Sequence, residues 1–69
     1  MQIRNQFSYE WEMTMAMFAR HEAGKALAFL RQCQRYGHWY NARNAKRLVA
    51  QYNKEAAEHL RRAKEEVIG

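Results

Sequence analysis

Apolar residues recur at three- and four-residue steps in two long blocks of this chain, separated by one strong breaker, Gly37. That period is the signature of amphipathic helices. In the first block Trp11, Met15, Phe18, Ala19, Ala23, Ala26, Leu27, Phe29, Leu30, Cys33 and Tyr36 share one broad face of a helical wheel. Arg20, His21, Arg31, Gln32 and Arg35 lie opposite, and only Glu12, Glu22 and Gln34 interrupt the apolar side. The second block repeats the pattern with Ala42, Ala45, Val49, Tyr52, Ala56, Leu60, Ala63 and Val67. The spacing predicts an all-α fold over residues 1–69, a single antiparallel helical hairpin. Helix one covers about 9–36, the turn about 37–41 with Asn41 as a cap, and helix two about 42–67.

A second period runs through the start of the chain. Phe7, Tyr9, Trp11, Met13, Met15 and Met17 alternate with Ser8, Glu10, Glu12, Thr14 and Ala16, which is the pattern of a strand. A strand before two helices in a small basic protein resembles the ribbon-helix-helix DNA binders, whose paired strands enter the major groove. The outward set would then include Glu10 and Glu12, so a two-chain ribbon would hold four carboxylates against phosphate. A helix that starts near Ser8, with Glu10 and Glu12 in its first turns, suits the cap and dipole preferences better. A short N-terminal strand or arm remains the alternative for this segment.

Both helical stripes are rich in alanine, which lets two backbones approach closely but buries little area, so that large residues such as Trp11, Phe18, Phe29 and Tyr52 are expected to flank the seam. Ordering a chain of 69 residues costs on the order of 100 kcal/mol at roughly 1.5 kcal/mol per residue, more than a lone helix pair offsets. Cys33 is the only cysteine, so neither a disulfide nor a zinc site stabilises the fold, and self-association is the remaining route. The expectation is a homodimeric four-helix bundle in which Trp11, Met15, Phe18, Phe29, Leu30, Val49, Tyr52 and Leu60 form the core or dimer contacts. On the outer face of helix two, Glu58 with Arg62, Arg61 with Glu65 and Arg62 with Glu66 stand at ion-pairing distance along the chain.

Charge sharpens the picture by its position. The formal net charge is +5, and residues 31–54 carry Arg31, Arg35, Arg43, Lys46, Arg47 and Lys54 with no acid among them. The flanking regions are close to balanced. No apolar run exceeds five residues, the longest being 15–19 and 26–30, which argues against a membrane span or a signal-peptide core. With a single unpaired cysteine, the expected compartment is the cytoplasm.

Catalytic chemistry finds few parts. Ser8, Thr14 and Cys33 are the only side-chain hydroxyl or thiol candidates outside tyrosine, and Cys33 falls on the apolar face. His21, His38 and His59 lie in different turns; Glu55 with His59 is the best ligand pair and lacks two partners. His59 reads as a half-buried seam residue and His21 as a surface one. Phosphate loops and dinucleotide fingerprints are absent. The chain is expected to be no enzyme and to use neither metal nor cofactor.

What stands out is the stretch from Arg35 to Arg47, RYGHWYNARNAKR. Trp, Tyr and Arg dominate binding hot spots, and Tyr36, His38, Trp39, Tyr40, Arg43 and Arg47 supply that set at the turn. Arg43 and Arg47, four residues apart, would align as a fork for acidic groups. The first expectation is a protein partner. The second is nucleic acid, with the cations on phosphates and Trp39 or Tyr40 stacked on bases. The third is that the rings merely plug the end of the bundle.

With its YGHWYNAR corner, alanine-spaced helices and hairpin length, the chain resembles the very small, all-helical host-takeover proteins of temperate phages, most of all those that act as quorum-sensing anti-activators. The resemblance implies a cofactor-free dimer that binds a LuxR-type transcriptional activator, keeps it from DNA in the host cytoplasm, and has a second target in a pilus assembly ATPase. Inhibition of this kind is stoichiometric.

Overall fold

Small side chains set the architecture. In the computed structural model, which describes residues 2–68, two helices pack side by side as a hairpin: α1 (Gln6–Arg35) and α2 (Trp39–Glu65). The rod measures 50 × 14 × 13 Å. Its buried positions are Ala16, Ala19, Ala23 and Cys33 on α1 and Ala42, Ala45, Ala56 and Ala63 on α2. Small side chains on both faces let the two backbones approach closely. Three- and four-residue steps keep that seam facing the partner helix along the whole rod.

The eight large residues expected as core or dimer contacts flank this seam. Met15, Leu30, Val49, Tyr52 and Leu60 are half-buried along its edges, while Trp11, Phe18 and Phe29 are exposed. A helix pair held close by alanine has no room between its axes for a ring or a long aliphatic chain, so these residues are displaced to the flanks. The all-helical hairpin itself is as the spacing predicts.

The element ends differ from the expected ones by a few residues, each for a local reason. Helix one begins at Gln6, because Asn5 is its cap: the Asn5 side chain accepts a hydrogen bond from the Ser8 amide at 3.0 Å. Ser8 therefore lies in the first turn. The alternating segment 7–17 is helical throughout, and its odd-numbered residues wind around the cylinder. Ahead of the helix there is an isolated antiparallel bridge between Ile3 and Val67, in place of a strand. The Arg4 amide donates to the Glu66 carbonyl at 2.6 Å, and the Ile68 amide to the Gln2 carbonyl at 2.9 Å. Two backbone hydrogen bonds thus join the segments that precede α1 and follow α2.

One polar pair crosses the seam. His59 Nδ1 lies 2.5 Å from Glu12 Oε2, with the side chains only 19% and 13% exposed. The imidazole donates to the carboxylate, joining the first half of α1 to the last third of α2. Glu12, which reads in the sequence as an interruption of the apolar face, has its partner on the other helix. Of the three ion pairs expected on the outer face of α2, Arg61 and Glu65 meet, at 2.6 Å. The pairs Glu58–Arg62 and Arg62–Glu66 do not form; Glu66 Oε2 is instead buried and without a hydrogen-bond partner.

Two outcomes test this account. Ala45 is 1% exposed, so Ala45→Leu forces the helices apart and costs about 1–3 kcal/mol, seen as a thermal midpoint lowered by at least roughly 4 °C; an unchanged midpoint contradicts the close seam. A double-mutant cycle of Glu12→Ala and His59→Ala, read by urea unfolding at fixed concentration, gives a favourable coupling of about 0.5–3 kcal/mol. Strict additivity would show that the two groups do not act as a pair.

Candidate functional site

The chain reverses direction through a motif that only glycine fits well. Tyr36 caps α1, and Gly37 follows with φ +72°. The His38 amide donates to the Cys33 carbonyl at 2.8 Å and the Gly37 amide to the Gln34 carbonyl at 3.3 Å. These are the two hydrogen bonds of a Schellman ending, which needs a left-handed residue at this position. The turn is shorter than the expected 37–41: α2 starts at Trp39 with His38 as its cap. Trp39 and Tyr40 consequently sit in the first turn of a helix, where the rigid backbone fixes their direction.

Buried Ala42 and Ala45 then clamp that turn of α2 to α1. Residues between and beside them must point away from the seam. Tyr40, Arg43 and Arg47 follow one another at three- and four-residue steps and form a ridge on the outer side. Trp39, Arg43 and Lys46 line a shallow groove with Leu30, Gln34 and Ala42. At the apex the Tyr36 and His38 rings stand 6.4 Å apart, tilted by 38°. All six sequence-selected residues, Tyr36, His38, Trp39, Tyr40, Arg43 and Arg47, are exposed at this one end. Trp39 keeps 68% and Tyr40 78% of its surface in solvent, so neither ring plugs the end of its own hairpin.

The electrostatics of the end are one-sided. Among the described residues the ion pairs are Lys25–Glu22, His59–Glu12 and Arg61–Glu65, none of which uses a cation from 31–54. None of Arg31, Arg35, Arg43, Lys46, Arg47 and Lys54 therefore has an acidic side chain within ion-pairing distance. Helix α2 begins with no side-chain cap and no acid in its first turn, so the positive end of its dipole adds to the same field.

Elsewhere the reactive side chains are dispersed or engaged. Cys33 is a free thiol buried in the seam. His21 is exposed on α1, His38 lies in the turn, and His59 is held by Glu12. Glu55, the expected companion of His59, instead accepts a hydrogen bond from Gln51 at 3.3 Å. Among the described residues no three His, Cys or acidic side chains gather as a metal site would require, and no helix is long and apolar enough to cross a membrane.

Sequence reasoning missed one feature of the surface. Phe7 is 79% exposed and stands on the same side of α1 as exposed Trp11, Phe18 and Phe29. The available signal was spacing: Phe7, Phe18 and Phe29 are each eleven residues apart, close to three helical turns. Compared with known proteins, the chain matches no family model, no curated protein and no solved structure.

Proposed function

We propose that this chain is a small non-catalytic protein that acts as a homodimer, binding another protein and inhibiting it through the basic aromatic end of the hairpin. The observation that carries the reading is the collection of four exposed rings and two unpaired arginines on one apex. Exposed Trp and Tyr side chains on helix turns lose little conformational freedom when a partner covers them. Arg43 and Arg47 supply directed donors for carboxylates. The complementary surface is an apolar groove rimmed by acidic groups.

The resemblance to phage anti-activators gives the target its class: a LuxR-type transcriptional regulator in the host cytoplasm, kept from DNA by stoichiometric occupation, with a pilus assembly ATPase as a second target. A DNA-reading helix is itself basic, so charge directs the apex to acidic patches of the regulator away from that helix. The charge of residues 31–54 also favours a second reading, nucleic-acid binding, in which the same cations meet phosphates.

Titration of the chain into a purified LuxR-type regulator bound to labelled operator separates the two. Inhibition releases the operator at a fixed stoichiometry, and Trp39→Ala or Arg43→Ala weakens the effect about 30-fold, the equivalent of roughly 2 kcal/mol for a hot-spot residue. Direct, salt-sensitive binding of the chain to the duplex without the regulator supports the second reading instead. An unaltered regulator–operator complex at saturating chain removes the regulator as the target.

A further inference from the structure

Away from the basic end, α1 carries a stripe that is symmetric about its own centre. Phe18 is 60% exposed. Phe7 and Phe29 lie eleven residues before and after it, and Trp11 and Lys25 seven before and after. Eleven and seven residues are close to three and two turns, so all five share one side of the helix. Beside Phe18, half-buried Met15 and Tyr52 line a shallow groove between α1 and α2, and exposed Leu48 stands one turn from Tyr52 on α2.

The hairpin as a whole exposes more surface than a compact monomer of its mass. A compact monomer of 8.3 kDa exposes about 4,600 Å². This chain exposes 5479 Å², an excess of about 900 Å² that is close to the roughly 800 Å² each partner covers in a standard interface. Among the described residues no large side chain is fully buried within the hairpin, so the area that would complete a core lies on the outside.

We infer that the occupant of this stripe is a second copy of the chain, seated antiparallel on a two-fold axis that passes beside Phe18. The inference rests on the homodimer proposed above and specifies its contact face. A two-fold axis across α1 sets Phe18 against Phe18 of the second copy and Phe7 against its Phe29. The same axis brings Trp11 against its Lys25, a ring and a cation in position for a cation–π contact. Charge selects this orientation over a parallel one. A parallel pair places two uncompensated basic ends side by side. The antiparallel pair separates them by about 54 Å, twice the rise of the eighteen residues from Phe18 to Tyr36, several screening lengths at physiological salt. Each end of the double rod then presents one basic aromatic apex, which makes the dimer a bivalent ligand.

Cysteine crosslinking tests the seat without touching its aromatic residues. In a Cys33→Ala background, Thr14→Cys and Glu22→Cys place thiols four residues before and after Phe18. Under mild oxidation or with a short bismaleimide, co-refolded Thr14→Cys and Glu22→Cys chains form a crosslinked dimer, and each variant alone does not. Light scattering on the uncrosslinked chain at the same concentration gives about twice 8.3 kDa. A folded particle of monomer mass overturns the homodimer and this interface together. A dimer in which each variant crosslinks to itself keeps the homodimer and overturns the antiparallel seat. A dimer with no crosslink in any combination overturns the stripe as its interface.

Discussion

The close approach of two helices through alanine is the constraint on which the rest of this structure depends. With Ala16, Ala19, Ala23, Ala42, Ala45, Ala56, Ala63 and Cys33 filling the seam, the helix axes cannot admit a larger side chain between them. Every ring and long aliphatic chain is displaced to the flanks or to solvent. The hairpin thereby gains a precise register and forgoes most of the hydrophobic stabilisation that buried Leu or Phe provides, about 1.5–3 kcal/mol for each such side chain. The Glu12–His59 pair and the backbone hydrogen bonds around Ile3 and Val67 reinforce the end remote from the turn.

The turn converts the same register into a surface. A Schellman ending at Gly37 reverses the chain within Tyr36–His38, so α2 starts early enough to take Trp39 and Tyr40 into its first turn. Ala42 and Ala45 face inward, and helical geometry then sends Arg43, Lys46 and Arg47 outward. Sequence adjacency of rings and cations becomes spatial adjacency on a rigid apex. A flexible loop of the same composition would lose more side-chain and backbone entropy on binding.

Two surfaces of different chemistry result, one around the turn and one along α1, with Tyr36 standing where they adjoin. The apex combines rings with positive charge and no internal acid. The α1 stripe is aromatic, with one exposed Glu22–Lys25 pair at 3.5 Å near its centre, a contact that contributes little by itself. Charge suits the first to an acidic partner. Symmetry and area suit the second to another copy of the chain. Self-association and partner recognition in this proposal are therefore separable functions of one hairpin.

Several elements were legible in the residues alone. Three- and four-residue spacing indicated two helices, Gly37 marked their boundary, and the uneven charge located the apex, because periodicity, backbone conformational freedom and net charge are local or additive properties of a sequence. Caps were misplaced at both helix starts, since Asn5 and Ser8 both suit the cap at the first and His38 and Asn41 both precede plausible first turns at the second. Local hydrogen bonds chose between them: the Ser8 amide on the Asn5 side chain at the first, and the pair that closes the turn at Gly37 at the second. The larger decision was which apolar residues face inward. A helical wheel draws Trp11, Phe18, Phe29 and the alanines as one broad face, and side-chain size divides it into an alanine seam with rings on its flanks; the tertiary structure decides how much of each ring that division leaves in solvent. That exposure depends on the distance between two helix axes, a quantity set jointly by residues far apart in the chain. The partner of Glu12 across the seam was hidden for the same reason.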